Sequence, residues 1–155
     1  MSEKAAFTVK IRKATKADCT IIYQLAEQSR LEHWSQMAYE EECSNKNSVF
    51  LVACGKGERV IGFSVTRWNY FAEADLLNIA VSPDYRKMAA GYLLLKQTEA
   101  ILRENNVMEL FLHVRESNLN AINFYTRNGF KLLEKIQRFY SNPEENGLRM
   151  SKQLK

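Results

Sequence analysis

Residues 76–91 read LLNIAVSPDYRKMAAG and carry the plainest chemical signal in the chain. An apolar run from Leu76 to Val81 meets a proline break at Ser82, Pro83 and Asp84. The stretch Arg86-Lys87-Met88-Ala89-Ala90-Gly91 then leads into a helical pattern. The first N–H groups of a helix have no partner within it, and the aligned peptide dipoles add partial positive charge at the same spot. Small residues let an anion approach those groups closely. The junction is expected to bind a phosphate-bearing small molecule.

The elements that must position this loop follow from periodicity. Residues 7–13 alternate apolar and polar and read as a strand. Thr15 and Asp18 form a variant capping box ahead of a helix whose apolar stripe is Ile21, Ile22, Leu25 and Ala26. A short helix is expected over 35–43. Residues 49–54 and 60–67, joined by the turn 55–58, read as a hairpin, and 76–81 extends the meander. The helix after Gly91 turns Leu94, Leu95, Ile101 and Leu102 inward and sets Lys96, Glu99 and Arg103 on its wet side. A strand over 109–114, a helix over 118–127 stopped by Asn128-Gly129, a strand over 130–140, a loop over 141–146 and a last strand over 147–154 complete the order. That order, β-α-α-β-β-β-α-β-α-β-β, is an α+β layered fold with helices on both faces of a sheet.

The 155 residues fit one domain, 1–155, with a substantial core. A net charge of +4 favours acidic partners, but the basic residues are scattered among glutamates, so direct nucleic-acid binding is not expected. Cys19, Cys43 and Cys54 have neither metal-ligand nor disulfide-framework spacing, so free thiols and no metal are expected. The sequence shows no leader and no spanning segment, which implies a cytoplasmic protein away from membranes.

Four pieces in order, LNIAVSPDYR, the loop-helix after it, VRESNLNAINFYTRNGF and RFY, resemble the GNAT superfamily of N-acetyltransferases, most clearly over 76–140. The resemblance is strongest to the protein N-terminal type that includes the bacterial ribosomal-protein-alanine enzymes. It implies a mixed, mostly antiparallel sheet of about seven strands and acetyl-CoA as acyl donor. It places Ile79, Ala80 and Val81 along the pantetheine arm and thioester. Residues Arg86, Lys87, Met88, Ala89, Ala90, Gly91 and Tyr92 would surround the pyrophosphate, with Met88 and Tyr92 as candidates for the adenine side. Asn118 would meet the arm from across. Tyr125 would stand near the sulfur as the acid, or be an aromatic packed on the sheet. Trp34 and Tyr140 are candidate walls for the acceptor or, equally, core aromatics.

Two departures stand out. Ala89 replaces the first glycine of the family loop. A Cβ costs roughly 1–2 kcal/mol if that residue is left-handed and nothing if it is helical; the helical conformation is expected. His113 occupies the position of the relatives' glutamate base. An imidazole titrates near neutrality and can take a proton there. The competing reading is a core histidine, with water or Glu73 in the catalytic role. The resemblance implies transfer to the amine of a protein N-terminus, with a small-molecule amine or a CoA-binding module of weak turnover as alternatives. Oligomeric state is left open.

Overall fold

In the computed structural model, residues 8–29, 34–86 and 89–154 are described. The order of elements is that read from the sequence. Strand β1 (Lys10–Lys13) precedes α1 (Cys19–Gln28) and α2 (Gln36–Glu42). Strands β2 (Ser48–Cys54), β3 (Val60–Trp68) and β4 (Glu73–Val81) follow, then α3 (Ala90–Glu104), β5 (Glu109–Arg115), α4 (Leu119–Arg127), β6 (Lys131–Ser141) and β7 (Glu144–Gln153). One seven-stranded sheet runs β1-β2-β3-β4-β5-β7-β6. All neighbours are antiparallel except β4 and β5.

The helices begin and end where side chains supply partners. Asp18 Oδ2 accepts from Thr15 N at 2.8 Å, and a short 3-10 turn feeds α1. Ser35 Oγ accepts from Ala38 N at 3.1 Å and caps α2. Gly129 takes φ 94° after α4, which lets Phe130 N donate to Tyr125 O at 3.0 Å. The two sheet faces hold two cores. One packs Leu94, Leu95 and Leu102 of α3 and Tyr125 of α4 against Leu110, Leu112 and Met150. The other packs Ile22 and Leu25 of α1 and Tyr39 of α2 against Phe50, Phe63 and Val65.

Three local expectations are corrected. Ile21 is 41% exposed and lies outside the α1 stripe. The expected loop at 141–146 is a tight turn, because β7 starts at Glu144. Glu99 is fully buried, not wet. Lys152 from β7 donates to both of its carboxylate oxygens at 3.0 Å, and Lys96 and Arg103 stand at 3.5 and 3.6 Å. Helical spacing places Glu99 beside Lys96 and Arg103, but a distant strand decides that it is covered.

Candidate functional site

The parallel pair β4–β5 is short. Only Glu73, Ala74 and Asp75 face β5, opposite Glu109, Leu110 and Phe111. Beyond Asp75 the two strands part, while β5 stays paired with β7 as far as Arg115. The β3–β4 register explains the parting: Val65 faces Asn78 and Thr66 faces Leu76, so Leu77 is an extra residue in β4. Such a bulge bends its strand and leaves backbone groups unpaired. The far half of β4 therefore offers an open edge towards β5, the kind of edge on which an extended chain can pair.

Helix α4 stands across that opening, and a cleft of about 730 Å³ lies between them. Ile79, Ala80 and Val81 line it from β4, Arg86, Ala89, Gly91 and Tyr92 from the loop and first turn of α3, and Asn118 from the start of α4. Ala90 is fully buried in the core, so its side chain faces away and only its backbone can serve the cleft. Lys87 and Met88 lie outside the described residues. Arg86 Nε donates to Val81 O at 3.4 Å. Asn118 Oδ1 is engaged as the cap of α4, accepting from Ala121 N at 3.2 Å. Ala89 is left-handed, at φ 62° and ψ 13°, which corrects the helical expectation. The turn from β4 into α3 needs that conformation just before the helix starts, and spacing alone does not reveal it.

A second cleft, of about 290 Å³, continues from the first. Both are lined by Ser29, Ile79, Asn118, Ala121 and Tyr125. The second adds Leu76, Leu77, Asn78, His113, Val114, Arg115 and Tyr140. Tyr125 thus stands where the two spaces meet. Burial pushes its phenol well above the usual tyrosine range, with a further push from Tyr140. His113 is exposed at the second cleft, which corrects the reading of it as a core histidine. Partial burial, and then Arg149, hold its imidazole below the ordinary value; Asp75 and Glu134 oppose them. The Tyr140 ring carries the Arg115 guanidinium at 4.3 Å.

Trp34 is not brought to this place. It packs on Tyr39 at 5.3 Å between ring centroids, lies 4.9 Å from the Arg67 guanidinium and lines a separate hollow with Glu42 and Asn45. The structure sets its ring at the edge of the α1–α2 core, apart from the two clefts. Reading along the chain missed Ser29, Asn120, Phe124, Arg127 and Asn128, which line the first cleft. The i, i+3, i+4 spacing of Asn120, Phe124, Arg127 and Asn128 places them on one face of α4 and could have found them. Among the described residues no group of three or more His, Cys, Asp or Glu could hold a metal ion. None of their helices is long and apolar enough to cross a membrane.

The sheet splits between two parallel strands, with a helix N-terminus at the mouth of the gap and a second cleft behind it, an arrangement with room for a long ligand and a second one beside it. The acetyltransferase (GNAT) family model matches residues 19–130, and the chain belongs to that family. It is 30% identical over 134 residues to the ribosomal protein bS18-alanine N-acetyltransferase of Haemophilus influenzae, covering 86% of this chain and 88% of the relative. It is 28% identical over 148 residues to the N-alpha-acetyltransferase of Sulfurisphaera tokodaii, covering 88% of each. Among solved structures, Ard1 from Thermoplasma volcanium superposes with a TM-score of 0.86 at 28% identity, over 94% of this chain and 97% of that one. The ribosomal-protein-S18-alanine N-acetyltransferase from Escherichia coli superposes with a TM-score of 0.83 at 25% identity, over 95% and 94%.

Proposed function

We propose that this acetyltransferase moves the acetyl group of acetyl-CoA to the α-amino group of a protein N-terminus, acting as one catalytic domain. The observation that carries the reading is the meeting of the two clefts at Tyr125. One cleft has the backbone edge, helix start and cations suited to a pantetheine arm and phosphates; the other has a titratable base and an aromatic wall. The names of the relatives at 28–30% identity support a protein acceptor.

In this reading the open edge of β4 at Ile79, Ala80 and Val81 pairs with the donor's pantetheine arm. The first-turn N–H groups of α3, together with Arg86 and Arg127, receive its phosphates. The acceptor amine enters beside Tyr140 and attacks the thioester carbonyl. A protein α-amino group has a pKa of about 7.7–8.0, so a useful fraction is neutral near pH 7. His113, neutral at that pH because its pKa is lowered, takes the proton released on nitrogen, directly or through a water. A backbone N–H at the end of β4 meets the oxyanion, a contribution of about 3 kcal/mol in comparable sites. As the carbon–sulfur bond breaks, Tyr125 donates its O–H to the leaving sulfur. Its raised pKa keeps the phenol protonated and makes full transfer uphill, so its effect is mainly a hydrogen bond that strengthens as charge develops.

Incubation with acetyl-CoA and peptides of varied N-terminus, read by mass, tests the acceptor. Acetyl gain on peptides and not on polyamines or free amino acids is expected; gain on small amines alone overturns the reading. Acetyl-CoA binding without CoA release against every acceptor would mark a binding module. His113→Ala should lose turnover while keeping donor affinity. The wild-type rate should fall on the acid side through a limb below pH 6.5, because the imidazole is held below its ordinary value. The same limb surviving in the variant removes His113 from the mechanism.

A further inference from the structure

His113 does not stand alone in its cleft. The ring of Phe139 lies flat against the imidazole, with centroids 4.6 Å apart and planes 12° from parallel. Phe139 belongs to the edge strand β6, and β7 lies between β6 and β5. Two local features bring it across. First, β6 loses register: Ile136 faces Gly147 and Tyr140 faces Glu145, so residues 137–139 stand opposite Asn146 alone. Arg138 is left-handed there, at φ 55°, and its N–H donates to Asn146 Oδ1 at 3.1 Å. A bulge of this kind re-aims the side chains beside it. Second, the strand it crosses has no side chain at the crossing. A Cβ built on Gly147 would stand 2.9 Å from Phe139 Cβ and Cδ2 and 3.0 Å from Cγ. The Tyr140 ring meets Phe139 edge-on at 4.9 Å and holds it from the other side.

We infer that Phe139 is a positioning residue for the reaction: lying across Gly147, it sets the plane of the His113 imidazole and covers one of its faces. The inference rests on the reading of His113 as base. A parallel stack fixes the plane in which both ring nitrogens point, and a proton acceptor works only when its lone pair is aimed at the reacting amine. The ring also excludes water from one face, which disfavours the imidazolium. The charged groups facing His113 from the packed elements are Asp75 of β4, Arg149 of β7 and Glu134 of β6. All remain when Phe139 is changed, so a change in the His113 titration reports the loss of the cover. Phe139 is 43% exposed on an edge strand, a position tolerant of substitution.

The test combines kinetics on an acetylated peptide with proton NMR titration of the imidazoles. The chain has two histidines, so His33→Gln assigns both resonances. Phe139→Ala should lower kcat roughly ten- to a hundredfold with a smaller change in peptide KM, since a 1 Å misplacement of a reacting group costs up to about 10²-fold. The His113 titration and the acid limb should both move up in pH, towards the ordinary value of about 6.5. Phe139→Tyr should restore both. Phe139→Leu, which keeps apolar volume without a flat ring, should fold normally and still lose rate. Gly147→Ala, whose added Cβ would push directly on Phe139, should reproduce Phe139→Ala. In a His113→Ala background, Phe139→Ala should cost nothing further. An unmoved imidazole titration in Phe139→Ala, or the full loss repeated in the His113→Ala background, overturns the inference. Wild-type kinetics in His113→Ala overturns the base reading and this inference with it. That failure is recognisable because the imidazole titration would still respond to Phe139→Ala.

Discussion

Replacing Ala89 by glycine tests the geometry of the turn from β4 into α3. Ala89 sits at φ 62°, ψ 13°, immediately before the first residue of α3. A Cβ in that region crowds its own backbone and costs roughly 1–2 kcal/mol. Glycine removes the crowding, but it also frees the unfolded chain, which gives back about 0.4–1 kcal/mol. The difference is a net stabilisation of about 0–1.6 kcal/mol, and each 1 kcal/mol raises Tm by about 2–4 °C for a chain of this size. Ala89→Val should shift Tm the other way, because a β-branched side chain tolerates positive φ poorly. The same relief should favour donor binding if the free loop escapes its strained form for part of the time. About 1 kcal/mol corresponds to roughly fivefold in Kd. Thermal unfolding and calorimetric titration with CoA measure the two effects. A lower Tm in Ala89→Gly, or wild-type stability in Ala89→Val, refutes a left-handed residue at this turn.

Gly62→Ala should weaken donor binding without touching the donor. A Cβ there would stand 2.9 Å from Ala80 O and 3.2 Å from Val81 Cγ2, so the end of β4 must shift, at about 1–3 kcal/mol of stability; wild-type Kd and Tm would count against that crowding. Tyr125→Phe should lower kcat well beyond its effect on donor Kd, and equal kinetics would return Tyr125 to a packing role. The acid side of the stability curve should report Asp18. Arg12 bonds both its oxygens at 2.8 and 2.9 Å and, with Thr15, holds its carboxyl below the usual range against the opposing effect of burial. Because the folded value is depressed, the stabilisation is present above the unfolded value of about 3.9 and is lost as pH falls through the folded one. Arg12→Gln should flatten that loss below about pH 4, as measured by denaturant unfolding across pH; an unchanged slope would show that the pair contributes nothing.

Much of the first cleft was legible along the chain because its parts are local. A strand, a proline break and a helix start lie within sixteen residues, and short-range periodicity orders them. The second cleft was legible only as a set of candidates. His113 on β5 and Tyr140 on β6 are far apart in the chain, and only the pairing of both strands with β7 brings them together. Trp34 fell elsewhere because the α1–α2 core claims its ring, a choice that depends on Tyr39 and Arg67 and not on its neighbours in sequence.

The sequence by itself determined the number, type and order of the elements, because alternation of period 2 and the 3.6-residue helical period are properties of neighbouring residues. It also determined where the turn from β4 into α3 lies, because the proline break and the helix start coincide there. Tertiary structure decided the rest: the extra residue Leu77 that opens β4 from β5, the burial of Glu99 under Lys152, the left-handed Ala89 and the ring of Phe139 laid across Gly147 onto His113. Leu77, Glu99 and Phe139 depend on register or on contact between elements distant in the chain, and Ala89 on the turn that joins β4 to α3. A one-residue change of register turns a side chain to the other face of a sheet while leaving the local pattern of residue types unchanged.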